Sequence, residues 1–327
     1  MPVLHAATDL REDESDTLDA AHAVQAALLR LGFHSSLIRF DHDLRLFAAL
    51  AADRPVAVFN LVEAFYGDDA LAHMAPAMLE HHGLAFTGGQ CHALAITRSK
   101  LLVKQWLHAA GISTPDWSTD GLNCLPEIRY IVKADQLHGS LGMDMQSVLN
   151  GEHVAAEIRR RQASYATPFL AERFIAGREF NVAVMSGKHD LRILPIQEIL
   201  FLEFASGVPH IVDYAAKWDP GSGRYYNTPR QFGLEQREPA LAAILQNTAR
   251  ACWKALALSG YGRVDFRVDE QGAAYVLEVN VNPAITPDAG FPAAAAAAGL
   301  DYDELIETLI SACVEEPINP RNVTEHA

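Results

Sequence analysis

The sequence has few cysteines, no long apolar run and a shortage of positive charge. Its four cysteines lie far apart without a CxxC pair, which indicates reduced thiols rather than a disulfide framework. No stretch reaches the roughly 20 apolar residues that a membrane helix needs. The 26 basic and 41 acidic residues give a formal net charge of -15 at pH 7. This balance argues against a general nucleic-acid or anionic-membrane binder, because phosphate groups attract clustered positive charge.

The N-terminus also lacks a basic segment followed by a long apolar one. We therefore expect a soluble, cytoplasmic protein with neither nucleic-acid nor membrane partners. The length of 327 residues predicts two domains or three small ones, and the 50% hydrophobic composition allows a large core.

Apolar strand patterns alternate with helical patterns in the first ninety residues. The predicted elements are Val3–Ala6, Thr17–Leu31, Ser36–Phe40, Val56–Val62 and Ala70–His82, with helices in second and last place. This alternation predicts a Rossmann-like parallel sheet. The first strand is followed by His5-Ala6-Ala7-Thr8 instead of a glycine-rich loop, so a NAD or FAD site is not expected.

Beyond residue 90 the pattern changes to that of an α+β unit. A helix is predicted at Thr97–Ala110 with Thr97 as its cap. The later predicted elements are strands at 130–133, 169–174, 180–185 and 193–200, helices at 153–162 and 239–258, and a hairpin at 260–282.

The hairpin is the most informative segment, and its turn signal is Glu270-Gln271-Gly272. Polar and apolar residues alternate along its first strand, so Arg263 and Asp265 share one face. If the hairpin is symmetric about the turn, Asp265 lies opposite Glu278 and Arg263 lies opposite Asn280. The sequence therefore predicts two carboxylates that face each other across one ladder.

Facing carboxylates repel unless a cation lies between them. Oxygen ligands from Asp265, Glu278 and the amide of Asn280 suit Mg²⁺. The alternative is a solvated outer face on which Arg263 and Arg267 neutralise the acids. The ordered Asn-Val-Asn-Pro segment that follows favours the metal site.

Further motifs surround the hairpin in a fixed order. They are Thr87-Gly88-Gly89, Lys100, Ile131-Val132-Lys133, Gly139-Ser140-Leu141-Gly142, the run 172–180, Lys217, Gly262-Arg263-Val264-Asp265 and Glu278-Val279-Asn280. From about residue 56 to 309, the chain resembles the ATP-grasp superfamily and, within it, the D-alanine:D-alanine ligases. The resemblance implies an α/β and α+β multidomain ATP-grasp fold with an N-terminal Rossmann-like (pre-ATP-grasp) parallel-sheet domain.

The same resemblance implies domain boundaries. They are a substrate domain at 1–90, a central ATP-grasp domain at 91–190 that includes a phosphate flap at 134–142, a C-terminal ATP-grasp domain with the metal site at 191–317, and a tail at 318–327. It also implies a homodimer.

The resemblance assigns each motif a role. The ATP-binding set is Lys100, Lys133, Ser140, Glu172, Arg173, Ile175, Glu179 and Lys217. Within that set, the segment from Glu172 to Ile175 is the hinge that reads adenine, and Glu179 accepts the ribose hydroxyls. Mg²⁺, or alternatively Mn²⁺, is held by Asp265, Glu278 and Asn280. The catalytic pair is Arg263, which steadies charge on the tetrahedral intermediate, and Lys217, which reaches the γ-phosphate.

Amino-acid recognition departs from this family. A flap serine falls at Gly139, a tyrosine at Trp218, a histidine at Glu63, and an acceptor-binding serine and leucine at Ala289 and Gly290. Asp13 is the nearest match to the acid that pairs with the first substrate's amine, but acids also favour a helix N-terminus for local reasons. The candidate substrate residues are Asp13, Glu63, His138, Trp218 and Gly290.

The sequence therefore predicts an ATP-dependent ligase that joins a carboxylate and an amine through an acyl phosphate. Its substrates are small amino-acid-like molecules, and its substrate pocket differs from that of the D-alanine:D-alanine ligases. The alternatives are a genuine D-alanine:D-alanine ligase of peptidoglycan synthesis, a kinase that releases the phosphorylated product, and a non-catalytic nucleotide-binding regulatory homologue.

Overall fold

A computed structural model describes residues 1–6, 12–41, 43–65, 68–137, 139–187, 190–219 and 221–315, without the side chains of 12–15 and 315. The predicted tail at 318–327 lies outside these residues. Among the described helices, none combines the length and apolar character needed to cross a bilayer.

The N-terminal part is a parallel sheet with helices on its faces, which confirms the Rossmann-like prediction. Its elements are β1 (Pro2–His5), α1 (Glu12–Arg30), β2 (Ser36–Arg39), α2 (Arg45–Asp53), β3 (Phe59–Asn60) and α3 (Met74–His81), and the strand order is β2-β1-β3. The third strand was predicted at Val56–Val62, but β3 is shorter. Val56 is 61% exposed, and Val58 forms only an isolated bridge with Phe86.

Two helices follow where one was predicted. They are α4 (Cys91–Thr97) and α5 (Lys100–Ala109). The predicted cap Thr97 is wrong: its hydroxyl donates to Ala93 within α4, whereas extended Ser99 accepts a hydrogen bond from the backbone N–H of Leu102. This break places Lys100 in the first turn of a new helix.

An antiparallel sheet follows α5, and one helix covers it. Its elements are β4 (Trp117–Ser118), β5 (Arg129–Ala134), β6 (Val148–Asn150), α6 (Gly151–Tyr165) and β7 (Phe169–Arg173), in strand order β4-β7-β5-β6. The apolar positions Val154 and Ile158 of α6 are buried against Val132 and Phe169. This packing fixes β5 and β7, which carry Lys133 and Glu172.

The remaining strands form a third sheet with the order β11-β10-β8-β12-β13, and β9 pairs with β8. The strands are β8 (Arg178–Ser186), β9 (Leu191–Ile193), β10 (Gln197–Ile199), β11 (Arg230–Gln231), β12 (Tyr261–Val268) and β13 (Ala274–Val281). The helices of this part are α7 (Tyr214–Trp218), α8 (Gly223–Tyr226), α9 (Leu234–Arg237), α10 (Pro239–Ala255), α11 (Gly290–Ala297) and α12 (Tyr302–Glu315).

The predicted strand at 193–200 is divided into β9 and β10, with Pro195 between them. Proline lacks the N–H that an uninterrupted ladder needs. The predicted boundary at residue 190 falls inside the third sheet, because β8 precedes it and β10 follows it. The division into domains stays a prediction.

Helices cover part of each face of the third sheet. Phe180, Val264 and Phe266 pack with α4, α5 and α10 on one face, and Ala183 and Met185 pack with α1, α11 and α12 on the other. The N-terminal helix therefore lies close to the strands that carry the predicted catalytic residues.

Candidate active site

The hairpin of β12 and β13 has the register that the sequence predicts around its polar residues. Asp265 is paired with Glu278, and Arg263 with Asn280. The assumed symmetry about the turn is wrong, because the ladder shifts by one residue between Asp265 and Phe266. Such a bulge places one extra residue in β13 and lets Glu278 share a face with Asp265.

Asp265 is the centre of a hydrogen-bonded cluster. Arg263 donates from Nε and Nη2 to both of its carboxylate oxygens at 2.7 Å, and Asn181 and Asn280 donate at 2.7 and 3.0 Å. Burial lowers the pKa of Arg263, but the charge and hydrogen bonds of Asp265, together with the charges of Glu278 and Glu179, outweigh burial and raise it overall. The alternative of a solvated face is met only in part. Arg263 neutralises Asp265, but Arg267 pairs with Glu179, and Asp265 is buried.

The fit to a divalent cation depends on the donor atoms. Two carboxylates and one amide share this face, and hard oxygen ligands of this kind suit Mg²⁺. Within the described residues, no three His, Cys, Asp or Glu side chains cluster as metal ligands. A cation here would therefore need further oxygens from water or from a bound phosphate. Lys100 Nζ lies 3.6 Å from Glu278 and already supplies one positive charge.

Three lysines converge near a buried carboxylate. Lys133 Nζ donates to Glu172 Oε2 at 2.9 Å, and Lys104 Nζ lies 3.5 Å from Oε1. Burial alone would raise the pKa of Glu172, but the charges of Lys104 and Lys133 outweigh burial and lower it. Lys100 donates to the carbonyl of Leu137, so it links α5 to the predicted phosphate flap.

The predicted hinge joins the second sheet to the third. Arg173 ends β7, Ile175 is half-buried beyond it, and Glu179 lies in β8, 3.2 Å from Arg267. Burial raises the pKa of Glu179, and the charge of Arg267 opposes this shift. Gly177 has φ +142°, and a Cβ there would lie 2.0 Å from the carbonyl oxygen of Val268, so only glycine fits.

Two loops meet beside these groups: the first contains Gly139 and Ser140, and the second runs from Val212 to Trp218. Ser140 donates to the carbonyl of Val212 at 2.9 Å, and the Trp218 indole donates to the carbonyl of Gly139 at 2.8 Å. Lys217 lies in α7, on the second loop, and is exposed to solvent, although many protein atoms surround its ammonium group. The loss of water to these atoms, and then the charge of Arg263, lower the pKa of Lys217, whereas the charges of Glu278 and Asp265 oppose this shift.

A small pocket lies where α1 approaches the third sheet. Asp16, Glu63, Tyr261 and Asn282 are among its lining residues, and its cavity volume is only about 10 Å³, enough for a group of about the size of one water molecule. Burial raises the pKa of Glu63 to about 7 and also raises the pKa of Asp16. Two acids whose pKa values are raised therefore line one pocket.

The other predicted substrate residues are spread out. Gly290 is the first residue of α11 and accepts a hydrogen bond from Gln197 through its carbonyl, while Arg230 donates to the neighbouring carbonyl of Asp288. Asp13 and His138 lie outside what the structure describes: His138 altogether, and Asp13 as regards its side chain.

Comparison with known proteins decides the family. The sequence profile of the D-ala D-ala ligase C-terminus matches residues 123–311. A D-alanine–D-alanine ligase of Synechococcus sp. is 30% identical over 303 residues, covering 90% of this chain and 87% of that one. The chain belongs to the D-alanine–D-alanine ligase family.

Other comparisons agree with this family assignment. An uncharacterised protein of Sinorhizobium fredii is 28% identical over 89% of this chain and 86% of its own length. The crystal structure of the Bacillus anthracis D-alanine–D-alanine ligase complexed with ATP has a TM-score of 0.74 at 20% identity and covers 96% of this chain and 97% of that one. As a member of this family with the ATP-grasp fold, the protein is an ATP-dependent ligase that forms a C–N bond.

Within this ATP-grasp ligase, several of the predicted residues form one connected group of charged side chains, which we call the cleft: Lys100, Lys133, Glu179, Lys217, Arg263, Asp265 and Glu278. Sequence reasoning missed Lys104 and Asp16. Lys104 lies one helical turn after Lys100, a spacing that could have indicated it. Asp16 carries no motif, and only the approach of α1 to Glu63 identifies it.

Proposed function

We propose that this ligase joins a carboxylate and an amine of two amino-acid-like substrates through an acyl phosphate, with a substrate pocket of its own. One observation carries the proposal: Lys217 and Arg263 are electrostatic neighbours of each other and of Asp265 and Glu278. Positive groups for phosphate and acids for a cation thus lie in one cleft.

The reaction needs two displacements. A substrate carboxylate oxygen attacks the γ-phosphorus of ATP, the bond to the β,γ-bridging oxygen breaks, and ADP leaves. The amine nitrogen of the second substrate then attacks the acyl carbon, the acyl C–O bond breaks, and phosphate leaves as the nitrogen loses a proton. The protein supplies mostly positioning and charge, and positioning is worth up to roughly 7–11 kcal/mol of barrier.

The residues divide this work. Lys100 and Lys133 would bind phosphates, Lys217 would hold the group in transfer, and Arg263 would stabilise the oxyanion at the acyl carbon. Phosphate oxygens need positive charge nearby, so these four basic groups from separate segments of the chain support ATP as the nucleotide.

Asp265, Glu278 and Asn280 would hold Mg²⁺, with Mn²⁺ as an alternative. When bound, the cation neutralises charge on the phosphate oxygens of the nucleotide. Arg263, Asn181 and Asn280 together direct four hydrogen bonds at the two oxygens of Asp265, so a cation would have to replace one of these donors. We propose that Asn280 is that donor, because its amide would have to turn to present its oxygen to the cation.

The amine of the first substrate would lie in the pocket of Asp16 and Glu63. Two carboxylates around one pocket suit an ammonium group, because buried charge needs a partner. Trp218 would contribute by holding the two loops together over the site. We propose that these features, along with Gly290 at the acceptor end, distinguish its substrates from a pair of D-alanines.

Substrate-dependent release of ADP and phosphate tests the proposal. We expect turnover with Mg²⁺ and at least one pair from a panel of D- and L-amino acids and dipeptides, and mass spectrometry should detect the coupled product. Efficient formation of D-alanyl-D-alanine would support the genuine peptidoglycan ligase instead. A phosphorylated acid as the end product would indicate a kinase, and no turnover with any pair would contradict the proposal.

A pH-dependent prediction concerns Glu63. We expect Glu63→Gln to lower kcat/KM for the first substrate, whose amine would contact Glu63, about tenfold above pH ~8, because a charged hydrogen bond is lost. The affinity for ADP should stay unchanged. In the wild type, kcat/KM should rise through pH 7, where Glu63 ionises in a surrounding of Asp16, Asp69, Arg98 and Lys217.

At high pH the same variant should be more stable than the wild type, although its activity is lower. Since folding raises the pKa of Glu63 from 4.5 to about 7, the folded chain binds the extra proton, and the free energy of unfolding falls as pH rises through that interval. Glu63→Gln should therefore unfold at a higher temperature than the wild type at about pH 8, and not at about pH 4. Glu307→Gln, at an exposed position of α12, is the control. Equal pH profiles for Glu63→Gln and wild type would exclude Glu63 from substrate binding.

A further inference from the structure

Lys104 is a buried lysine that the proposed reaction does not use. Its side chain is 1% exposed, and that of its neighbour Glu172 is also 1% exposed. The ammonium group donates to the Thr114 hydroxyl at 2.8 Å and to the carbonyl of Pro115 at 3.0 Å. Thr114 donates in turn to the carbonyl of Val276 in β13, so Lys104 is held from two sides.

Glu172 therefore has two lysine partners of different kinds. Lys104 is fixed in the interior by its other hydrogen bonds, whereas the side chain of Lys133 is 14% exposed and reaches Glu172 from the cleft. A buried carboxylate that loses its only counter-charge costs several kcal/mol. With Lys104 in place, Glu172 keeps one counter-charge when Lys133 turns away.

We propose that Lys104 is a positioning residue that neutralises Glu172 in the interior and so releases Lys133 to bind a nucleotide phosphate. This inference rests on the proposed nucleotide site. Without Lys104, Lys133 would be the main counter-charge of Glu172 and would stay on it. Binding of the phosphates would then compete with an interior ion pair, while binding of the nucleoside part would not.

The test compares ADP with adenosine by isothermal titration calorimetry on the full chain. Lys104→Met removes the charge and keeps most of the stem. We expect its Kd for ADP to rise about tenfold, as for the loss of one charge-assisted hydrogen bond, and its Kd for adenosine to change less than about twofold. Lys254→Met, on the exposed end of α10, is the matched control and should bind both like the wild type.

A second variant separates this role from a structural one. The double variant Lys104→Met/Glu172→Gln has no carboxylate at position 172, so no negative charge in the interior holds Lys133. The amide at that position still offers an acceptor oxygen. Its ADP affinity should therefore return to that of Glu172→Gln alone. If Lys104→Met does not fold, this pair of variants carries the test.

Three results would contradict this inference without contradicting the proposed function. The first two are equal losses of affinity for ADP and adenosine in Lys104→Met, or no loss for either ligand. The third is tenfold weaker ADP binding by the double variant than by Glu172→Gln. Failure of the wild type to bind ADP would instead contradict the proposed function and remove the basis of this inference.

Discussion

Asp265→Asn should reduce turnover about a thousandfold while leaving the fold intact. The carboxylate accepts hydrogen bonds from Arg263, Asn181 and Asn280, and all of these groups are donors. An asparagine presents one NH₂ group to this ring of donors, so at least one hydrogen bond becomes a repulsive contact. Arg263 also loses its bidentate partner, and the proposed cation loses a charged ligand.

ADP release under saturating substrates measures this effect, and thermal unfolding checks the fold. The loss of charged hydrogen bonds should lower the free energy of unfolding by about 1–3 kcal/mol. Glu270→Gln, at the exposed turn of the same hairpin, is the matched control and should behave like the wild type. Undiminished turnover in Asp265→Asn would contradict the proposed site, whereas a chain without turnover in either form would favour the regulatory homologue.

Arg161→Met should lower the free energy of unfolding by about 3 kcal/mol and raise the KM for ATP. Arg161 is 1% exposed in α6, although it is charged. Its guanidinium donates to Glu157, to Asp144 at 2.8 Å and to the backbone carbonyl of Gly142. The last two residues follow Ser140, so this single side chain fastens the end of the predicted phosphate flap to α6.

Arg160→Met is a sharp control for this prediction. Arg160 is adjacent and also pairs with Glu157, but its side chain is 54% exposed. Exposed ion pairs contribute at most about 1 kcal/mol, so the control should lose far less stability and keep its KM for ATP. Urea unfolding measures the free energy of unfolding, and initial rates at varied ATP concentration measure the KM. Equal losses of stability in the two variants would contradict the prediction that burial makes the Arg161 ion pairs stronger.

This ion-pair group also has a pH limit. Hydrogen bonds from Arg160, opposed by burial and assisted by Arg161, lower the pKa of Glu157 from 4.5 to about 2. Folding therefore favours the ionised acid, and its contribution to stability is present above pH 4.5 and is lost as pH falls toward 2.

Local patterns were sufficient for the parallel sheet, for most helices and for the facing pair Asp265 and Glu278. They did not reveal the bulge, because the assumed symmetry about the turn Glu270-Gln271-Gly272 gave the right register at Asp265 while missing the shift beside it. They also placed a helix cap at Thr97 instead of Ser99, since both residues have hydroxyls and only the backbone conformation separates them. Element boundaries thus depended on details that a pattern of residue types does not carry.

The sequence by itself determined the fold class, the family and the order of the nucleotide, hinge and hairpin motifs, because strand periodicity and motif spacing are properties of neighbouring residues. Only the tertiary structure decided that Lys104 shares Glu172 with Lys133, that Asp16 joins Glu63 in one pocket, and that Arg161 reaches the flap. These groups come from segments distant along the chain, and their charges act through space once burial has removed the water that would screen them.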